Sequence, residues 1–137
     1  MVKEIVKDQE FLKKVSDDLT RKDMQVVRDL LDTIKANGEE CACLAANQIG
    51  YTKRALVFFE NGRVFTMINP KVVGHSQEAV EMEEGCLSLE GVQKVTRYKT
   101  ITVKYTDEKW KTKTTTYRGF TAECIQHMLD HFEGILI

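Results

Sequence analysis

The order of residue patterns in this chain predicts an α+β fold, with antiparallel β-sheets packed around a C-terminal helix and a second helix nearer the N-terminus. Three observations carry that expectation. Apolar residues recur at helical spacing after Thr20, an Asn-Gly pair at 61 and 62 separates two β-rich runs, and a helical pattern ahead of Gly134 holds two histidines on one face.

Size and composition bound the rest. A chain of 137 residues, 42% of them apolar and 30% charged, is long enough for one buried core and too short for two ordinary domains, so residues 1–137 are read as a single domain. The formal net charge is −1 and no long run of like charge occurs, so electrostatics gives no case for nucleic acid or a membrane as partner. The most basic stretch, Lys109 to Lys113, reads as a solvated strand edge guarded by lysines. Residues Met1 to Asp8 lack the apolar run of a signal or spanning segment, which points to the cytoplasm. Cys41, Cys43, Cys86 and Cys124 form no Cys-x-x-Cys pair. That suits a reducing compartment and leaves thiolates free for metal.

Taken in order, Thr20 followed by Asp23 forms a capping box, and Met24, Val27, Leu31 and Ile34 continue a helix over roughly 21 to 36, until Asn37-Gly38. Arg54 to Glu60 and Arg63 to Asn69 read as a β-hairpin with a two-residue turn, closed by Pro70. In a second β region Val95, Ile101, Val103 and Tyr105 alternate with polar residues, Asp107 to Lys109 turns, and Thr112 to Arg118 returns. Gly119 breaks that pattern, Thr121 is the expected N-cap, and the last helix runs to about Glu133 and ends at Gly134.

The chemistry concentrates in three segments. At ~3.6 residues per turn, His127 and His131 share a helix face, and with the thiolate of Cys86 they can close on one divalent ion. Two imidazoles and one thiolate leave a fourth position open, where a catalytic metal takes water, and hydrolysis then needs a carboxylate to handle the proton. In the His-Glu-x-x-His pattern that carboxylate follows the first histidine. Here the position is Met128, which exchanges no proton. Taken alone, paired histidines on a helix are more often a half-exposed pair than ligands, and the alternative for Cys86 is a buried structural cysteine at a strand start. The third segment, Cys41 to Gly50, is rich in small residues, and the amide of Gln48 can donate to a developing oxyanion. On its own it reads also as helix-to-sheet packing.

Together the three segments resemble the motifs of the peptide deformylase family, and the resemblance covers nearly the whole chain. The family's first motif is Gly-φ-Gly-φ-Ala-Ala-x-Gln, where φ is apolar; Leu44, Ala45, Ala46 and Gln48 match, while Cys41 and Cys43 stand at the glycines. Its second, Glu-Gly-Cys-φ-Ser, is intact from Glu84 to Ser88. Its third, Gln-His-Glu-φ-Asp-His, matches at Gln126, His127, Leu129, Asp130 and His131, with Met128 in place of the glutamate. The sequence stops six residues after His131, as in short paralogues from Gram-positive bacteria.

The resemblance implies that Cys86, His127 and His131 bind one divalent metal ion, natively Fe2+, with Zn2+ or Ni2+ able to substitute. It implies that Gln48 and the backbone N–H of Leu87 hold the formyl oxygen, that N-formylmethionyl peptides of nascent chains are the substrates, and that the general acid/base role has no owner at Met128. A helical wheel puts Glu133 behind the histidine face, so it cannot substitute, while Asp130, which matches a family aspartate, reads by that resemblance as support for the site. Glu84 and Arg97 either brace the cysteine loop or form an exposed pair without a role. Cys43 narrows the cleft or brings a thiol near the metal. Two functions follow: a deformylase impaired at Met128, or a non-catalytic relative that binds metal and peptide.

Overall fold

The run from Ala55 to Phe59 has no polar side, and such a strand belongs in a sheet covered on both faces. In the computed structural model, which describes residues 1–38, 41–86 and 88–137, it forms β2 (Ala55–Glu60). Strands β1 (Cys43–Ala45), β3 (Arg63–His75), β6 (Thr100–Thr106) and β7 (Thr112–Arg118) complete an antiparallel sheet of order β1-β2-β3-β6-β7. Successive residues alternate between two apolar clusters. Leu44, Ala55, Val57 and Ile68 pack with Val27, Leu30 and Ile34 of helix α2 (Met24–Asn37). Ala45, Leu56, Phe58 and Met67 pack with Ala122, Ile125 and Phe132 of helix α3 (Gly119–Phe132). The sheet is thus covered by one helix on each face. Among the described residues, no helix is long and apolar enough to cross a membrane.

Several local expectations are met and others need correction. The helix expected over 21 to 36 begins as a 3₁₀ turn, Arg21–Asp23, before α2. The Asp23 carboxylate accepts from the backbone N–H and the hydroxyl of Thr20 at 2.9 and 3.0 Å, which is the carboxylate half of the capping box. A short helix, α1 (Gln9–Leu12), was not anticipated, because four residues carry no readable period. Glu60 pairs with Arg63 across Asn61-Gly62, both at positive φ, as a two-residue hairpin turn requires. Pro70 does not close β3. The strand continues to His75 because Pro70 lies at a register shift between Ile68 and Lys71, where a missing N–H costs no ladder bond.

Val95 and Ile101, expected in one β region, belong to different sheets. Strands β4 (Ala79–Cys86) and β5 (Leu89–Tyr98) form a separate two-stranded sheet. The stretch from Lys109 to Lys113 is only partly a strand edge. Lys113 lies on the edge strand β7, whereas Trp110 sits in the preceding loop, half-buried, with its indole N–H directed to Met24 Sδ at 3.2 Å. Large aromatic area is worth burying even in a basic loop.

Helix α3 starts two residues before the expected cap, so Thr121 lies in its first turn and Arg118 is the residue that precedes the helix. Its C-terminus follows expectation. Gly134 N–H donates to His131 and Ile135 N–H to Asp130, both at 3.1 Å, with Gly134 at φ 73°. A Cβ at Gly134 would overlap the Lys13 carbonyl. Gly134→Ala is therefore expected to destabilise the fold by about 2 kcal/mol or more, measured by thermal or urea denaturation. An unchanged midpoint would show that this turn relaxes freely.

Candidate metal centre

His127 and His131 leave the same face of α3, with ring centroids 5.0 Å apart. Cys86, at the end of β4 rather than at a strand start, meets them from the other side. One ligand-capable atom from each of the three lies within 4.8 Å of the others, and Cys86 Sγ is 3.4 Å from His131 Nε2. An ion with sulfur at ~2.3 Å and nitrogen at ~2.0 Å has a tetrahedral S···N edge of ~3.5 Å, so the donor set fits a metal with little rearrangement. His127 Nδ1 is taken by Glu84 Oε1 at 2.9 Å. His127 Nε2, buried and without a hydrogen-bond partner among the described residues, is the nitrogen left for an ion.

Electrostatics prepares the same three groups. Burial alone would raise the Cys86 thiol, but the facing imidazoles of His127 and His131 outweigh it and hold it at about 5. Burial would lower His127, yet the Cys86 thiolate and the Glu84 carboxylate hold it at about 9.

Gln48 comes from a 3₁₀ turn, Ala46–Ile49, directly after β1. Its Oε1 accepts from Ala45 N–H at 2.9 Å, which fixes the amide so that Nε2 donates toward Cys86 Sγ at 3.2 Å and Ser88 Oγ at 3.4 Å. Ser88 N–H also points at the sulfur, at 3.4 Å. The neighbouring Asn47 donates to the His131 carbonyl at 3.0 Å and ties the turn to α3.

Behind the ligands runs a buried charge chain. Arg97 donates to both Glu84 oxygens, Nη2 to Oε1 at 2.7 Å and Nε to Oε2 at 3.0 Å, and Nη1 reaches Asp130 Oδ2 at 2.6 Å. The Glu84 and Arg97 side chains are 4% and 6% exposed, so the exposed-pair alternative is wrong. Burial pushes Glu84 up, but His127 and Arg97 more than reverse it and hold the carboxyl at about 2. Asp130 supports the site as expected, though through Arg97 rather than through a histidine. Gln126 plays a structural part, since its amide exchanges hydrogen bonds with the backbone N–H and C=O of Tyr98, both at 2.9 Å, and so docks α3 on β5.

A cleft of about 450 Å³ opens beside the triad, with Gln48, Cys86, His127 and Met128 on its wall. Met128 is 3% exposed and belongs to the apolar cluster under α3. Glu133 points elsewhere, 3.5 Å from Arg54. Gln48, Cys86, His127, His131 and Met128 are thus brought together, while Leu87 lies outside the described residues. Sequence reasoning missed Glu123, Phe120 and Cys124 on the cleft wall. Glu123 was findable, because it precedes His127 by one helical turn on the same face. Burial and the adjoining Glu84 carboxylate push it up to about 7.

The chain as a whole is similar to known proteins. A family model described as polypeptide deformylase matches residues 2–137. A peptide deformylase of Clostridium beijerinckii is 50% identical over 137 residues, covering all of both chains. The crystal structure of peptide deformylase from Ehrlichia chaffeensis superposes with a TM-score of 0.88 at 32% identity, covering 99% of this chain and 86% of that one. A class I type b peptide deformylase from Acinetobacter baumannii, with Met-Ala-Ser bound, gives 0.88 at 25% identity, covering 99% and 97%. A family match over residues 2–137, whole-length similarity and a shared fold lead to one conclusion: the chain belongs to the polypeptide deformylase family of hydrolases.

Proposed function

We propose that this protein removes the N-formyl group from N-formylmethionyl peptides of nascent chains by metal-dependent hydrolysis in the cytoplasm, at a rate limited by Met128. The observation that carries this reading is the convergence of Cys86, His127 and His131 within 4.8 Å beside a cleft that also holds the Gln48 amide. In this proposal residues 1–137 act as one domain. The three side chains hold one divalent ion, Fe2+ natively and Zn2+ or Ni2+ in its place, which supplies Lewis-acid polarisation of the formyl carbonyl. Gln48, preset by its bond to Ala45, and the Leu87 backbone N–H donate to the formyl oxygen as charge develops there. Glu84 fixes the His127 tautomer by taking Nδ1.

Met128 holds no proton for the reaction. General acid/base catalysis typically contributes ~10²–10⁴-fold, so its absence removes ~3 to 5 kcal/mol of transition-state stabilisation and leaves slow turnover. The burial of Met128 in an apolar cluster supports a second reading, a non-catalytic relative that binds metal and peptide.

Protein purified without oxygen is expected to carry close to one divalent transition metal per chain by elemental analysis, and Cys86→Ser to lose most of it. Stoichiometry near zero after reconstitution, or unchanged in the variant, would remove the metal centre from the proposal. On metal-loaded protein, formyl-Met peptides are expected to bind more tightly than formyl-Asp peptides in calorimetry, since Glu83 lines the cleft and repels a carboxylate. Equal affinities would count against a methionine subsite.

A further inference from the structure

The proposed reaction uses neither Cys43 nor Cys124, yet both line its cleft. Cys43 stands on β1 at one of the positions where a glycine was expected, and Cys124 stands on α3 one turn before His127 and Met128. The two elements pack directly against each other. Cys43 Sγ is 3.8 Å from the Cys124 carbonyl oxygen. Cys41 is differently placed. It is 2% exposed, packs in the cluster under α2, and directs its sulfur to the Cys43 carbonyl at 3.5 Å. All four cysteines stand as free thiols.

We propose that Cys43 and Cys124 are a dithiol modification site on the cleft wall, closed by hydrogen peroxide into a disulfide that ties β1 to α3. A disulfide needs sulfurs at ~2.05 Å and facing Cβ atoms, and the Cys43 sulfur already lies against the Cys124 backbone, on the wall of the same cleft. Cys124, on the helix, is taken as the first sulfur to react, and Cys43 as the one that closes the bond. The Cys124 sulfur attacks one peroxide oxygen, the O–O bond breaks, and the first water leaves, with a sulfenic acid formed on Cys124. Cys43 sulfur then displaces the hydroxyl, its proton leaves with that oxygen as the second water, and the S–S bond forms. Two thiols lose two electrons and one peroxide gains them. The bond joins the strand that leads into Gln48 to the helix that carries His127, and it closes a long chain loop.

The test uses zinc-loaded protein, so that Cys86 is held by the ion. The protein is treated with hydrogen peroxide, remaining thiols are alkylated, and an unreduced digest is read by mass spectrometry, with thermal melting alongside. The expected product is a peptide pair linked through Cys43 and Cys124, with Tm raised by ~5 °C or more and restored to its starting value by dithiothreitol. Cys43→Ser and Cys124→Ser should each abolish the link and the shift. A disulfide involving Cys41 or Cys86 instead, irreversible oxidation of Cys43 or Cys124 without a link, or thiols that stay unmodified would each overturn the proposal. The linked peptide is read on the unsubstituted protein, so poor folding of either serine variant leaves the test intact.

Discussion

Met128→Glu is expected to raise deformylation of formyl-Met-Ala by ~10²-fold or more, mostly in kcat, because a proton-transfer group acts in the transition state rather than in substrate binding. The rest of the cleft is already assembled. Gln48 is preset by its bond to Ala45, and the three ligand-capable side chains are in place. The new carboxylate would replace a side chain that is 3% exposed and packed in the cluster under α3. It should therefore lower stability by about 1–3 kcal/mol unless metal loading compensates. Steady-state kinetics on metal-loaded protein, paired with melting curves, separates the two effects. A variant that folds, binds metal and stays as slow as the parent would favour the non-catalytic relative, with Cys41 and Cys43 having changed the cleft at the family's glycine positions.

Arg97→Met should be the most destabilising single change at the site, by about 3 to 5 kcal/mol, because it leaves the buried Glu84 carboxylate without its cation. Asp130, 29% exposed, would lose its partner at lower cost. The same pair sets the sign of a pH dependence. Glu84 sits at about 2 in the fold against an ordinary 4.5, so its contribution is fully present above 4.5 and is lost as pH falls toward 2. Melting temperature of the parent should drop across that window, and Arg97→Met, already weakened, should drop less. Equal slopes in the two proteins would mean that His127 alone holds the Glu84 carboxylate down.

Much of the scaffold was legible because it rests on local periodicity. The α2 repeat, the Asn61-Gly62 turn and the Gly134 stop each depend on neighbours in sequence, and each stands where expected. Pro70 misled because a proline ends a strand only where its N–H would be needed, and the bulge that excuses it depends on the distant partner β6. Thr121 misled because a glycine that breaks a strand can also open a helix. At the site, the ligand residues could be picked out by type and spacing. The burial of the Glu84 and Arg97 pair could not, since both come from a hairpin whose docking on α3 is a tertiary event. Glu123 was overlooked because its type does not set it apart from a surface glutamate, and its one sequence signal, a place one helical turn before His127, gains meaning from the cleft beside it.

The division into two sheets bears on how the site opens. Cys86 and Glu84 ride on the two-stranded sheet, whereas His127, His131 and Gln48 belong to elements packed on the five-stranded one. An isolated pair of strands is marginal in water, so β4 and β5 depend on what clamps them: the Gln126 clasp, the Arg97 chain and any ion shared between Cys86 and the histidines. The hairpin is therefore the natural low-energy unit of sub-global opening, and amide hydrogens along it should exchange before those of β2. Since only the closed hairpin completes the ligand set, an ion held there would act as a latch on that motion, and its residence time would be governed by hairpin excursions as much as by the strength of its bonds.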